Sequence, residues 1–300
     1  MTTPPYAVFS CDLDTVDRHL QGYGIEDLPP CDVIYRKAVP RLLELFEQLD
    51  IHGVFFTIAR DADDQSDLLR RIAGAGHEIA SHSMTHPQPF RSLPSAQLTV
   101  EINDSRARLS DACGNEVVGF RAPAWDIDDR VLDELARSGY KYDASFFPTP
   151  ALIASRLSAY RRSEGMGSIF SMDLLGHAFA RRSPHRLQGA GAGMIEFPVA
   201  VTRWLRFPTY HTLAYLTPRP VYMRALRSVL KSNEPICYEF HAADLLALDD
   251  DGVDPRMDRH PGMKLPLAEK LALLKSVVSE IRARRDVYTY SGITESRFPS

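Results

Sequence analysis

The sequence predicts an α/β fold built on a mostly parallel sheet. Three observations carry the prediction: short apolar runs bounded by turn residues, stretches of helical periodicity between them, and polar clusters at the ends of the runs.

The elements follow in order. Tyr6–Cys11 (YAVFSC) reads as a buried strand, with Asp12 and Asp14 at its carboxyl end. Val39–Leu49 spaces its leucines and Phe46 as an amphipathic helix, and Val54–Ile58 reads as a second strand. Asp67–Ala75 reads as a helix closed by Gly76, and Glu78–Ala80 as a strand ending just before His82. Pro94–Leu109 is expected to be a helix with Ser95 as its cap. Val117–Phe120 is expected to be a strand leading into Arg121, Asp128–Ser138 a helix, and Lys141–Ala144 a strand.

The second half is less regular. About 149–222 reads as an irregular insertion, with a strand at Phe197–Val201 and an aromatic stretch, Trp204–Tyr222, broken by Pro208, Pro218 and Pro220. Met223–Lys231 reads as a helix, Pro235–Phe240 as a strand followed by His241, Leu267–Arg284 as a helix and Val287–Tyr290 as a last strand. Strands and helices alternate at spacings typical of parallel βαβ units, so residues far apart in sequence converge at the carboxyl ends of strands.

Composition excludes several classes. Hydrophobic content of 44% and charged content of 25% are ordinary for a globular domain, and 300 residues suit one large domain, or at most two; a single catalytic domain over 1–300 is expected. Such a chain buries a large core without metal clips, so a metal would serve function rather than folding. A net charge of −4 gives no basic face for nucleic acid. The four cysteines form no C-x-x-C pair and fit a reducing compartment. MTTPPYAVFSCDLD shows neither a basic nor an apolar leader region, which points to a cytoplasmic location, at the inner face of the membrane if a surface is involved.

Four clusters can carry chemistry. His82-Ser-Met-Thr-His86 can bind one cation if the chain turns after a strand, although two unrelated loop histidines fit the spacing equally well. Asp12 and Asp14 alternate on an extended segment and can face one site, where a divalent cation would compensate them; a solvated loop or helix cap is the competing reading. Arg121 can clamp Asp12 bidentately, with Pro123 fixing a turn and Trp125 forming an apolar wall, or it can be a surface arginine beside a core tryptophan. His241 can act as a general acid oriented by a carboxylate such as Asp143, with Asp244 a weaker candidate, or it can be a buried, hydrogen-bonded histidine.

In order, CDLD, SHSMTH, RAPAW, YDASFFP and EFHAADLL resemble the motifs of the polysaccharide deacetylases (NodB homology, carbohydrate esterase family 4) over about residues 5–250. The resemblance implies a distorted, incomplete (β/α)7-type barrel. It implies Asp12 as catalytic base, Asp14, His82 and His86 as metal ligands, Arg121 as the group orienting the base, His241 as general acid, Asp143 as its tuner, and Trp125 and Pro123 at the substrate. D-x-D followed by Thr15, in place of adjacent aspartates, looks more like intracellular members; these include some peptidoglycan deacetylases and deformylases of polyprenyl-linked aminoarabinose.

The implied activity is metal-dependent removal of an N-acyl group, acetyl by preference, from an amino sugar on a glycan, nucleotide or lipid carrier. One divalent ion is implied, zinc by default, with cobalt, nickel or iron able to use the same ligands. The alternatives are a deformylase of a polyprenyl-phosphate-linked amino sugar, a non-catalytic carbohydrate-binding protein on the same fold, and a cyclic-amide hydrolase. The partner expected is the acylated sugar rather than nucleic acid. A peripheral membrane contact through 203–222, with Arg203, Arg206 and Arg219, belongs to the lipid-linked alternative.

Overall fold

The computed structural model describes residues 4–25, 28–29, 31–151 and 178–299. Part of the 149–222 stretch therefore lies outside the described residues. Among the described residues nine strands form one sheet: β1 Tyr6–Asp12, β2 Val54–Thr57, β3 Glu78–Ser81, β4 Gly119–Phe120, β5 Tyr142–Asp143, β6 His185–Arg186, β7 Ile195–Glu196, β8 Ile236–His241 and β9 Asp286–Val287. The spatial order is β6-β7-β5-β4-β3-β2-β1-β8, with β9 against the start of β1. Every pairing is parallel except β6 with β7. The two ends of this path, β6 and β8, are not paired with each other, so the sheet curls into an incomplete barrel, as the resemblance implies.

Among the described residues the helices are α1 Val16–Gln21, α2 Val39–Gln48, α3 Ser66–Gly74, α4 Ser95–Thr99, α5 Ser105–Cys113, α6 Asp129–Arg137, α7 Thr212–Leu216, α8 Arg219–Leu230, α9 Leu267–Arg282 and α10 Tyr290–Arg297. A π turn at Val100–Asp104 joins α4 to α5, and another at Ile34–Ala38 leads into α2.

Period-2 alternation explains how the sheet serves two cores. Ala7, Phe9 and Cys11 of β1 pack with Tyr238 and Phe240 of β8 into the large core that includes the helices. Tyr6, Val8, Val54, Phe56 and Cys237 face the other way, with Tyr290 and Ile293 of α10 among them. Further along the same inner rows come Ser10 and Asp12 on β1 and Glu239 and His241 on β8. The inward face thus turns from apolar to polar towards the carboxyl ends of the strands.

Several boundaries differ from the sequence reading. Ser95 is the first helical residue, and Pro94 precedes it without a side-chain cap. Pro220 lies in the first turn of α8, where a missing N–H costs nothing, so the helix starts well before Met223. The strand expected at 197–201 is Ile195–Glu196 instead; Val201 makes one antiparallel bridge, to Pro208. The last strand ends at Val287, and Tyr290 opens a helix capped by Thr289, whose side chain accepts from Gly292 N.

Candidate active site

In β1 and β8 the register makes Asp12 and His241 direct neighbours across the parallel ladder. Asp14 lies two residues past the end of β1 and keeps the inward direction of Asp12. His82 follows β3 directly, and its neighbouring loop bends sharply. Ser83 and His86 both adopt positive φ, at 67° and 59°, as do Ala124 and Trp125, both at 53°. Left-handed backbone at non-glycine residues is costly and persists where surrounding structure imposes it, typically at functional sites.

The outcome is a compact constellation. Asp14 Oδ1 lies 3.2 Å from His82 Nε2 and 3.5 Å from His86 Nε2. Asp12 Oδ2 is 3.8 Å from His82 Nε2, and His241 Nε2 is 3.8 Å from Asp14 Oδ2. Asp12, Asp14, His82 and His86 are all buried. His82 Nδ1 is 2.8 Å from the Arg121 carbonyl, which can only accept. The hydrogen on that ring therefore sits on Nδ1 in the neutral form, and Nε2 presents its lone pair to Asp14.

Asp14, His82 and His86 can hold a divalent cation. Asp14 Oδ1 is buried and accepts no well-formed hydrogen bond, although two imidazole nitrogens lie within 3.5 Å of it. Three buried donors converging on one point without satisfying each other is the arrangement a cation completes. Burial holds His86 down to about 4, so its ring is bare at neutral pH. Burial opposes the charge on His82 as well, but Asp12 and Asp14 outweigh it and raise that histidine above its ordinary value. For Asp14 too, burial works against the charge, and the His86 and His82 rings prevail, holding its carboxyl well below the usual range.

Arg121 joins this site to a second layer. It is wholly buried, with its guanidinium 4.0 Å from the Phe56 ring centroid. It does not clamp Asp12 bidentately. One nitrogen donates to Asp12 Oδ1, another to Ser10 Oγ at 2.9 Å, and Nε to the Ala144 carbonyl at 3.0 Å. Glu239 Oε2 sits 3.6 Å from the same guanidinium and accepts from Trp125 Nε1 at 3.0 Å. The sequence reading missed Glu239, although its position two residues before His241 on β8 puts both on one face. His241 is raised above the ordinary histidine value: burial opposes the proton, and Asp12, Asp14, Glu239 and Asp244 together overcome it.

Asp143 is not brought to His241. Its carboxylate accepts from Ser145 Oγ at 2.6 Å and Ser145 N at 3.1 Å, beside Glu196. Burial and the neighbouring Asp143 push Glu196 well above the usual carboxylate range. Asp244 accepts from His241 N at 2.9 Å and orders the turn after β8. A cavity of about 320 Å³ opens over the cluster, walled by Trp125, Tyr210, His19 and His260. Pro123 is buried in the turn behind Trp125 and is not among the lining residues.

Glu101 was also missed. It sits in the π turn, and its carboxylate grips the loop between the two histidines, accepting from Met84 N and Thr85 N at 2.9 Å each and from Thr85 Oγ1 at 2.6 Å. No periodicity in the sequence points to it. Glu101→Ala is expected to weaken metal retention by about 10–100-fold, as loss of a ligand-orienting partner does. Competition against a graded chelator measures this, and unchanged retention would show that the loop holds itself.

Residues 27–142 match the family model described as polysaccharide deacetylase. The peptidoglycan deacetylase of Helicobacter pylori is 29% identical over 143 residues, covering 46% of this chain and 48% of that protein. The chain spans about half the length of the curated relatives it matches. Among solved structures, a Mycobacterium smegmatis protein assigned provisionally to the polysaccharide deacetylases aligns with a TM-score of 0.61 at 17% identity, covering 98% of this chain and 91% of that one. Puue allantoinase aligns at 0.60 and 12% identity, covering 100% and 96%. At such identities the structural likenesses speak for the fold alone, a fold shared by different chemistries.

Proposed function

We propose that the chain acts as a polysaccharide deacetylase, the family whose model matches residues 27–142, and that it hydrolyses the N-acyl amide, acetyl by preference, of an amino sugar with a divalent metal held by Asp14, His82 and His86. The observation that carries the reading is the junction around Asp14: metal-ready donors within 3.5 Å, with a carboxylate and a raised imidazole each 3.8 Å from the trio. A non-catalytic sugar binder has no use for a paired base and acid at that point. When bound, a divalent cation would acidify water and polarise the acyl carbonyl.

The chain's own groups supply the rest. Arg121 occupies Asp12 Oδ1 and leaves Oδ2, on the His82 side, to take the proton of the attacking water. Burial opposes a proton on His241 but the surrounding carboxylates raise its hold on one, which suits it to protonate the amide nitrogen as the C–N bond breaks. An amine leaves poorly unless protonated, so this step is as necessary as attack. Water's oxygen ends on the acyl carbon, and the products are a free amine and a carboxylic acid. Trp125, fixed by Glu239, walls the cavity against bulk water.

The test is amine release across N-acetyl and N-formyl sugar nucleotides, lipid-linked sugars and chitooligomers, with metal analysis of the purified protein. Full activity of chelator-stripped protein would sink the scheme. His241→Asn should keep the metal yet lower turnover by about 10²–10⁴-fold; an unaffected variant would remove His241 from the acid role.

A further inference from the structure

Residues 178–233 concentrate charge of one sign: eight arginines and one lysine against a single acid, Glu196, in a chain whose net charge is −4. Glu196 is buried, so the surface of this stretch has no acid of its own. Arg182 pairs with Glu234 and Arg227 with Glu280, while Arg181, Arg203, Arg219 and Arg224 have no carboxylate partner among the described residues.

A tight hairpin projects from this basic region. Val201 bridges Pro208, Thr202 N donates to the Phe207 carbonyl at 2.9 Å, and Thr209 N donates to the Ala200 carbonyl at 3.0 Å. Arg206 braces the hairpin's base by donating to the carbonyls of Ala180 at 2.9 Å and Phe179 at 3.1 Å. Beyond these bonds the chain presents Arg203-Trp204-Leu205. Trp204 is 84% exposed and Leu205 85%. Phe179, next to Arg206, is 60% exposed. A large aromatic and a leucine side by side in water, at the tip of a hairpin, have no folding role and mark an interaction site.

We propose that the Trp204–Leu205 tip is an interfacial anchor that seats the chain on a lipid surface bearing anionic headgroups. Indole rings settle at the headgroup level of a bilayer, leucine enters below it, and arginine stays among the phosphates. The aromatic stretch from 203 to 222 does not act as a whole. Tyr222 and Thr209 are buried, and Arg206 is committed to backbone carbonyls. The alternative occupants fit less well. A glycan-stacking platform gains from open indole faces, and the Arg203 guanidinium stands over one face of this ring, 5.1 Å from its centroid. A second copy of the chain would require about 800 Å² per partner, far more than a hairpin tip offers.

The stem of the hairpin leads to the cavity. Val201 packs with Phe147 and Val199 against Trp125 and Tyr210, and the latter two line it. The proposal goes beyond the hydrolytic reading and stands whether or not that reading holds.

The test is co-sedimentation of the full chain with phosphatidylcholine vesicles and with phosphatidylcholine–phosphatidylglycerol vesicles, at low and high salt. The expected result is binding to the anionic vesicles that weakens with salt and on neutral ones. Trp204→Ala/Leu205→Ala should bind at least about tenfold more weakly, and Arg203→Glu more weakly as well. All these positions are solvent-facing, so thermal unfolding should match the parent and exclude misfolding. Parent protein left in the supernatant, or a double variant that binds like the parent, overturns the anchor. So does retention on chitooligomers or peptidoglycan that Trp204→Ala alone abolishes.

Discussion

His82→Ala is expected to strip the metal and abolish turnover in one step. His82 Nε2 is 3.2 Å from Asp14 Oδ1, and its other nitrogen is held by the Arg121 carbonyl, so its direction is fixed by the β4 side of the barrel. His241 is no ready substitute, since it lies 3.8 Å from the other oxygen of Asp14 and is proposed as the acid. Partners one bond further out cost about 10–100-fold in affinity, so a direct ligand should cost more than about 100-fold. Elemental analysis of the purified variant, alongside amine release, reads both effects. Metal lost with activity kept would break the link between the two. Acid should imitate the substitution. Only unprotonated imidazole binds a cation, and the raised affinity of His82 for protons makes them effective competitors from neutral pH downward. Metal retention should therefore fall as the pH is lowered, with the first losses near neutrality.

Arg121→Met should be the most destabilising single change at the site. The side chain is fully buried and neutralises Asp12 and Glu239, themselves buried. Removing the guanidinium leaves two carboxylates without compensation and strips Ser10 and the Ala144 carbonyl of a donor. Breaking a buried pair in this way costs about 3–5 kcal/mol. Urea unfolding should show a lower midpoint with little change in slope. Lysine restores charge but not the three-way fork, so Arg121→Lys should recover only part of the loss. Adding Glu239→Gln to Arg121→Met should cost less than the sum of the two single changes, because the second acid is what the arginine balances. A loss under about 1 kcal/mol for Arg121→Met would mean that Asp12 and Glu239 are stabilised by something other than this arginine.

Much of the fold was legible because periodicity is local. The strands at 6–12, 54–57 and 78–81 and the helices at 39–48, 66–74 and 129–137 were found within one or two residues. Position at strand ends predicts that Asp12, Asp14, His82, Arg121 and Asp143 converge on one face; the first four gather around Asp12 and Asp14, and Asp143 does not. What failed depended on information that no local pattern holds. Tyr288 and Tyr290 are strand-like in composition, yet Thr289 caps a helix that packs into the barrel. Asp143 follows its strand as the acids of β1 do, but Ser145 and Glu196 turn its carboxylate aside. The pairing of β1 with β8 joins residues more than two hundred positions apart, and only that register shows that Asp12 and His241 are neighbours. Glu239 was within reach of a period-2 argument on β8; Glu101 was not.

The π turn at Val100–Asp104 has an evolutionary consequence. A π turn holds one residue more than the helix around it needs. Deleting a single residue there would regularise the run from Ser95 to Cys113 and favour the isolated helix. It would also rotate Glu101 by about a quarter of a turn relative to α5, away from Met84 and Thr85. A mutational search for stability alone would select that deletion, whereas a search that also demanded a metal-loaded site would reject it.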